Sequence, residues 1–197
     1  MTRILLAYTT NSGSTAEVAQ AIAEVFLREG SQVDVRRLEE VQDLTGYDAV
    51  VVGAPMILGW HSAAVRFLKK HQRVLATLPV AYFCTLLSLT QTSEANLSMP
   101  VCIDPDLARP PNQEGHLGIK ERYATLSNYL RPLKQAAPGV HPKSVGFFGG
   151  KLEMFRLRWW QLVFVMVIIQ SQPGDFRNIA FIQDWAVRLY PQLVKTG

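Results

Sequence analysis

Short apolar runs of strand length alternate with helix-patterned segments through the first half of the chain. The runs are residues 4–8, 33–35, 47–54 and 79–86. In all but the short run 33–35, apolar residues occupy consecutive positions, which predicts parallel strands that are buried on both faces. Between the runs, apolar residues recur at helical spacing, as in the segment from Gly13 to Gly30. The alternation predicts an α/β fold of the doubly wound kind, with helices on both faces of a parallel sheet.

The second half of the chain is less regular. Residues 92–118 hold four prolines and several small polar residues, which predicts a long loop of the kind that is often functional. The remaining pattern predicts a helix at 120–135, a fifth strand at 144–149, an apolar helix at 155–170 and a final helix that begins at Asp184. Residues 1–197 are therefore expected to form one domain, with a basic, aromatic and apolar insert at about 152–172.

Charge is unevenly distributed along the chain. The 197 residues carry 20 basic and 16 acidic side chains, a formal net charge of +4. Residues 1–100 have 8 basic and 9 acidic side chains, and residues 101–197 have 12 and 7, so the excess lies in the second half. Hydrophobic residues make up 48% and charged residues 18%, which excludes intrinsic disorder. The basic half is expected to attract phosphate, anionic lipid or acidic ligands.

Several classes of protein are disfavoured by what the chain lacks. Cys84 and Cys102 do not have the spacing of a disulfide framework or a metal site, and the four histidines show no mutual metal spacing, so we expect no metal. The first apolar run is too short for a signal peptide, and no run reaches the roughly 18–20 apolar residues of a membrane-spanning helix. We therefore expect a cytoplasmic protein. The basic residues are dispersed without a nucleic-acid-binding motif, so nucleic acid is not an expected partner.

The segment between the first strand and the first helix is rich in hydroxyl groups. It consists of Thr9, Thr10, Asn11, Ser12, Gly13, Ser14 and Thr15. A loop at a helix N-terminus offers unpaired N–H groups and the positive end of the helix dipole, and hydroxyls add donors without charge. The segment predicts a phosphate site, although a helix capped by Ser12 or Ser14 would show the same pattern. It has no lysine and no G-x-G-x-x-G, which excludes the triphosphate loop and the dinucleotide fingerprint.

Two later loops follow strands at the same predicted edge of the sheet, where doubly wound sheets bind their ligands. One loop contains Pro55, Met56, Ile57, Leu58, Gly59 and Trp60, and the other begins with Thr85, Leu86 and Leu87. Together with the first loop they resemble the flavodoxin fold, whose five-stranded parallel sheet has the order 2-1-3-4-5. The resemblance implies FMN as the cofactor, with its phosphate in the first loop and its isoalloxazine ring flanked by the two later loops. Trp60 is expected either to stack on the flavin or to fill a pocket.

Within that fold, the chain is similar to the flavodoxin-type, menaquinone-dependent protoporphyrinogen dehydrogenases. The segments that carry the resemblance are residues 59–63 with 67–71, the Arg- and Trp-rich residues 155–160, and residues 183–185. It covers most of the chain outside residues 92–120. The chain departs from the family pattern in its longer Pro-rich loop and in an insert that has no lysine between Trp159 and Ile169.

The family resemblance implies oxidation of a porphyrinogen, or of a similar anionic substrate, with a quinone as the electron acceptor. Lys151, Arg156 and Arg158 would then attract the carboxylates of the substrate. His61 directly follows the second loop and is a candidate for assisting proton transfer.

The apolar stretch after Arg158 has three candidate environments. No residue from 159 to 174 is charged, and residues 162–169 are apolar on every face of a helix. Such a helix can be buried in its own domain or in a homodimer contact. It can also lie in a membrane interface, with Trp159 and Trp160 at the headgroup level, which would make the protein peripheral on the inner face of the cell membrane.

Three other functions remain open at this point. They are an electron carrier of the flavodoxin type, an NAD(P)H-dependent quinone or FMN reductase, and a flavodoxin-like interaction module without flavin. Carriers of this fold are typically acidic, which disfavours the first alternative for a chain of net charge +4.

Overall fold

The computed structural model describes residues 1–56, 59–90, 99–113, 116–152 and 174–194. Its strands are β1 (Arg3–Tyr8), β2 (Gln32–Arg37), β3 (Ala49–Pro55), β4 (Val80–Leu86), β5 (Leu89–Thr90), β6 (Val101–Ile103), β7 (Ala108–Arg109), β8 (Val145–Gly149), β9 (Lys151–Leu152) and β10 (Gly174–Asp175). Its helices are α1 (Ser14–Arg28), α2 (Ser62–Leu75), α3 (Ile119–Tyr123), α4 (Leu126–Ala136) and α5 (Ile179–Leu193), and a short 3-10 turn covers Leu38–Glu40.

Six strands form one parallel sheet in the order β2-β1-β3-β4-β8-β6. Its first five positions follow the predicted order 2-1-3-4-5, since β8 is the predicted fifth strand. Every residue of β3 and β4 is buried, which is what their consecutive apolar positions indicate. In the strand register Tyr8 aligns with Gly53, and Pro55 with Thr85, so the carboxyl ends of β1, β3 and β4 lie at one edge.

Helices cover both faces of the sheet, which confirms the doubly wound α/β prediction. On one face α1 packs against α5, with Ile22, Phe26 and Trp185 in the shared core. On the other face α2 packs against α4, with Leu68 and Leu130 in the core. Each helix buries one apolar stripe against the sheet, and this burial is the main stabilising contribution of both layers.

The sheet has one strand more than predicted. The extra strand, β6, lies within residues 92–118, which the sequence pattern presents as a loop, and its Ile103 aligns with Phe147 of β8. Three residues are too few for a periodic pattern, and an edge strand of this length forms only because β8 offers it a hydrogen-bonding partner. The same region contains β7, which pairs with β5.

The helix predicted at 120–135 is two helices, because tertiary hydrogen bonds interrupt it. The carbonyl of Ala124 accepts a hydrogen bond from the Thr90 N–H at 2.7 Å. The Thr125 hydroxyl donates to the Arg122 carbonyl at 3.2 Å. These bonds take backbone carbonyls out of the helical pattern between α3 and α4.

The final helix begins earlier than predicted. Asn178, not Asp184, occupies its N-cap, and the Asn178 side chain accepts a hydrogen bond from the Phe181 N–H at 3.0 Å. Asp184 is an exposed residue inside α5. Both residue types favour an N-cap, so sequence preference did not separate them.

The apolar helix predicted at 155–170 lies outside the described residues. The structure describes its junction with the domain, where β9 and β10 form an antiparallel pair with Leu152 opposite Gly174. Among the helices that the structure describes, none is long and apolar enough to span a membrane.

Candidate functional site

The site is formed where four segments leave the carboxyl edge of the sheet. Residues 9–15, here called the phosphate loop, follow β1, and further segments follow β3, β4 and β8. Because these strands are parallel and adjacent, their carboxyl ends lie side by side at one edge, the usual ligand edge of doubly wound sheets. The three loops that the sequence singled out are therefore brought together.

The phosphate loop turns through a residue in the left-handed backbone region. Gly13 has φ 97° and occupies the N-cap of α1, a conformation that glycine adopts without steric cost. The Gly13 N–H donates to the Thr10 hydroxyl at 2.9 Å, which closes the loop on itself. The helix is thus capped through glycine backbone, not by Ser12 or Ser14. The N–H groups of Ser14 and Thr15, in the first turn of α1, have no acceptor within the helix and are available to an anion.

Hydrogen bonds between loops hold the phosphate loop in place. The Thr15 and Thr85 hydroxyls, both buried, are hydrogen-bonded to each other at 2.8 Å. The Thr9 N–H donates to the Gly53 carbonyl at 3.0 Å, and the Met56 N–H donates to the Thr85 carbonyl at 2.8 Å. Described residues of the segments after β1, β3 and β4 are therefore joined by hydrogen bonds, which favour the preorganisation that a binding site needs.

The segment after β8 completes this network. The Gly150 N–H donates to the Leu86 carbonyl at 2.9 Å, and the Lys151 N–H donates to the Ser14 hydroxyl at 3.0 Å. A Cβ added at Gly150 would project among three loops, 3.6 Å from Ser14 Oγ and 3.7 Å from Thr85 Cβ. The space that this glycine leaves open lies directly beside the phosphate loop.

An arginine partly offsets the charge of two acidic groups next to α1. The Arg177 side chain, only 10% exposed, forms ion pairs with Glu17 in the first turn of α1 and with Asp175 in β10. Its Nε donates to Asp175 Oδ1 at 2.7 Å, and this hydrogen bond holds the pKa of the Asp175 carboxyl below its ordinary value. The repulsion of the two carboxylates for an anion in the phosphate loop is thereby reduced, since one of their two negative charges is offset.

Trp60 lies in the core of the second loop. Its indole is 7% exposed, its Nε1 donates to the Tyr129 carbonyl at 2.8 Å, and its ring makes an edge contact with Tyr82. Of the two roles that the sequence leaves open for Trp60, pocket filling is the one that this environment supports. Gly59, at φ 107°, makes the turn that pairs Met56 with Trp60.

His61 begins helix α2. It occupies the N-cap, and its Nδ1 accepts a hydrogen bond from the Ala63 N–H at 3.3 Å. Burial lowers the pKa of the imidazole below its ordinary value of 6.5. The neutral ring with its proton on Nε2 is the form that can accept this bond. His61 therefore has a structural contact at the helix start, and its role in proton transfer stays a prediction.

Replacement of the cap tests the structural role of His61. We expect His61→Ala to lower the free energy of unfolding by about 1 kcal/mol, because the first turn of α2 loses its side-chain acceptor. His61→Asn keeps an acceptor at the cap and is expected to unfold close to the wild type. Urea denaturation followed by circular dichroism measures both variants, and equal losses in the two would contradict the cap.

The contribution of His61 to the stability of the protein depends on pH. Because the folded-state pKa of His61 is lowered, the unfolded chain binds a proton more readily below pH 6.5. The contribution of His61 to stability is therefore complete above that pH and decreases as the pH falls through the folded-state pKa. His61→Asn is expected to reduce this slope in urea melts between pH 7 and pH 5.

The predicted site residues fall into two groups. The structure brings together those of the phosphate loop with Pro55, Met56, Gly59, Thr85 and Leu86, and half-buried Leu87 follows directly. The Lys151 backbone lies beside the phosphate loop, and the contact of its side chain with substrate stays a prediction. Trp60 and His61 have the core and helix-cap contacts given above. Six predicted residues lie outside the described part of the chain: Ile57, Leu58, Arg156, Arg158, Trp159 and Trp160.

Two residues at the site were missed from sequence. Gly150 had a usable signal, since a glycine pair directly after a strand at the ligand edge resembles the other loops. Arg177 had none, because its partner Glu17 is 160 positions away and only the fold brings them together. Among the described residues, no group of three or more His, Cys, Asp or Glu side chains is arranged to hold a metal ion.

Comparison with known proteins identifies the family to which this chain belongs. Residues 5–178 match the model of the flavodoxin domain. The chain belongs to the flavodoxin-domain family. This membership agrees with the sheet order and with the placement of the hydroxyl-rich loop at the start of α1.

Relatives of this flavodoxin-domain chain include two proteins of Escherichia coli. The proteins named protoporphyrinogen IX dehydrogenase [quinone] from strains K12 and O157:H7 are each 28% identical to it over 189 residues, covering 93% of this chain and 88% of theirs. A solved flavodoxin from the domain Archaea has a TM-score of 0.50 at 10% identity, with 97% of this chain and 98% of that chain covered. The second similarity concerns the fold alone.

The flavodoxin domain indicates FMN as the cofactor, and the described residues fit its phosphate. The phosphate loop offers hydroxyls and unpaired helix N–H groups around a left-handed glycine. Gly150 lies between that loop and β4, where an added Cβ would make ordinary van der Waals contacts with Ser14 and Thr85. Arg177 pairs with both nearby carboxylates and offsets one of the two negative charges of Glu17 and Asp175.

Proposed function

We propose that this flavodoxin-domain protein is an FMN-dependent oxidoreductase that oxidises a porphyrinogen, or a similar anionic substrate, with a quinone as electron acceptor. The observation that carries the proposal is the 28% identity, over 93% of this chain, to the protoporphyrinogen IX dehydrogenase [quinone] of E. coli K12. The net charge of +4 supports an anionic substrate and is unusual for a flavodoxin-type electron carrier.

The chain's own residues would bind and orient the cofactor. The phosphate would be held by Thr9, Thr10, Asn11, Ser12, Gly13, Ser14 and Thr15. The ring would be flanked by backbone of Pro55, Met56, Ile57, Leu58 and Gly59 and by backbone of Thr85, Leu86 and Leu87. FMN, when bound, supplies the electron transfer, so no side-chain nucleophile is required. The hydrogen bonds between Thr15, Thr85 and Met56 would keep the ring in one orientation and limit access of water.

The function is tested by an anaerobic assay of the FMN-loaded protein. We expect protoporphyrinogen IX to be oxidised with menadione as acceptor, and NADPH to be oxidised far more slowly. Rapid NADPH oxidation without porphyrinogen oxidation would instead identify a reductase. If neither donor is oxidised while an added flavodoxin reductase reduces the bound flavin, the protein is a carrier. A protein that does not bind FMN at all would be an interaction module.

Basic residues of the insert are proposed to attract the substrate. We expect Arg156→Gln combined with Arg158→Gln to raise KM for protoporphyrinogen about tenfold, with kcat changed little, because substrate carboxylates lose two cationic partners. The matched control is Arg131→Gln with Lys134→Gln on α4, which removes the same charge at exposed positions elsewhere. An equal rise of KM in both double variants would mean that only net charge matters.

We further propose that the insert places the protein on membrane surfaces. Trp159→Ala with Trp160→Ala is expected to reduce co-sedimentation with anionic liposomes severalfold, because interfacial tryptophans anchor at the headgroup level. Tyr123→Ala removes an aromatic side chain that is 72% exposed at another place and serves as the control. Equal and negligible sedimentation of wild type and double variant would exclude this contact, leaving the buried or homodimer environment for the insert.

A further inference from the structure

A groove of about 580 Å³ runs between α2 and the segment that follows β2. Its apolar lining comes from Leu38 and Val41 on one side and from Ala63 and Phe67 on the other. The volume is in the range of small-molecule sites, about 300–1,000 Å³. The groove lies outside the network formed by the loops after β1, β3, β4 and β8, so it is not the site that those loops build.

Cations of α2 border the groove. Arg66, Lys69 and Lys70 line it together with one acidic residue, Glu39. Lys70 donates to the Gln42 carbonyl at 3.3 Å, while the described residues provide no carboxylate partner for Arg66 or Lys69. Among the lining residues three cations stand against one carboxylate. Asp43 also acts electrostatically on Lys70 and His71, so the groove keeps a smaller excess of positive charge, which attracts an anion.

A buried polar atom also belongs to this groove. His71 lines it and is 8% exposed, and its Nε2 is buried without a hydrogen-bond partner. The imidazole packs against the Phe67 ring, with centroids 4.7 Å apart. A buried polar atom without a partner is unusual, and this one belongs to a residue that lines the groove.

The spacing of these residues follows from helix geometry. Positions 63, 67 and 71 are four residues apart, so they form one stripe of α2, and positions 66 and 70 form the neighbouring stripe. The apolar stripe and the cationic stripe thus run side by side along the groove. Residues 67–71 are also among those that carry the family resemblance, and burial in the core accounts for Phe67 and Leu68.

We propose that this groove binds an amphipathic carboxylate, with its apolar body along Leu38, Val41 and Phe67 and its carboxylate among Arg66, Lys69 and Lys70. The proposal does not depend on the redox activity. Glu39 connects the groove to the flavin site, because its Oε1 accepts a hydrogen bond from the Thr9 hydroxyl at 3.3 Å. Binding of a ligand in the groove is therefore expected to change the environment of the phosphate loop.

The probe is dodecanoate, compared with acetate, which lacks the apolar body, and with 1-dodecanol, which lacks the charge. Each is titrated into the FMN-loaded, ¹⁵N-labelled full chain and followed by NMR. We expect dodecanoate to shift the amide signals of Leu38, Val41 and residues 63–71, and both comparison compounds to bind at least tenfold more weakly. Equal binding of dodecanol, or shifts confined to residues outside the groove, would overturn the proposal.

A charge variant and its matched control complete the test. Arg66→Gln, Lys69→Gln and Lys70→Gln together are expected to weaken dodecanoate binding at least tenfold. Arg73→Gln, Arg131→Gln and Lys134→Gln remove the same charge from exposed positions outside the groove and are expected to leave binding unchanged. An equal loss in both triple variants would mean that net charge alone attracts the probe. Repetition without FMN separates this result from a failure of the proposed flavin function.

Discussion

Gly149→Ala is expected to lower the free energy of unfolding by about 3 kcal/mol, because β8 ends against backbone that has no room for a methyl group. A Cβ at Gly149 would lie 1.8 Å from the Phe176 carbonyl oxygen and 2.7 Å from its carbonyl carbon. The Phe176 N–H is hydrogen-bonded to the Gly150 carbonyl at 3.1 Å, so this backbone cannot move away without breaking a bond. The clash between the added methyl group and the Phe176 backbone can be relieved only if β8, or the chain leading into α5, is displaced.

Urea denaturation followed by circular dichroism measures this loss, which corresponds to roughly 6–12 °C in Tm for a chain of this size. The matched control is Gly139→Ala, since a Cβ there would meet only the Ala76 Cβ, at 4.0 Å. We expect the control to unfold within about 0.5 kcal/mol of the wild type. If Gly149→Ala is as stable as the control, the Phe176 backbone does not approach β8 as closely as the structure shows.

Ser12→Asp is expected to weaken FMN binding on the order of 100-fold while the protein stays fully folded. Ser12 is half-buried in the phosphate loop, directly before the left-handed Gly13. A carboxylate there would repel the FMN phosphate, and a repulsion of about 3 kcal/mol is reasonable for charges separated by several ångströms near a protein surface. The same carboxylate is favourable to the dipole of α1, by about 0.3–1 kcal/mol. The variant therefore separates loss of binding from loss of stability.

Titration of FMN fluorescence gives the dissociation constant, and a urea melt without FMN gives the stability. Ser12→Asn has nearly the same shape without the charge and is expected to bind FMN within a few-fold of the wild type. The difference between the Asp and Asn variants is expected to decrease in high salt, because screening weakens repulsion between exposed charges. Wild-type affinity in Ser12→Asp would mean that the phosphate does not bind at this loop.

Much of the fold could be predicted from sequence because its signals are local. The consecutive apolar positions of β3 and β4 report burial on both faces, and the stripe of α1 reports one covered face. The hydroxyl-rich residues 9–15 predicted the ligand-binding edge of the sheet, and this signal is also local, because the loop, its glycine and the start of the helix are contiguous in the sequence. Strand β6 could not be predicted, because three residues are too few to show a periodic pattern of apolar positions.

The sequence by itself determined the doubly wound α/β fold and the family, and it predicted the phosphate loop, since each depends on residues that are neighbours along the chain. Tertiary structure alone decided which side chains meet: Thr15 with Thr85, Lys151 with Ser14, and Arg177 with Glu17. It also assigned Trp60 to the core and His61 to a helix cap. The physical reason is that a hydrogen bond or ion pair depends on distance in space, which the parallel sheet sets between segments as far apart as 160 positions.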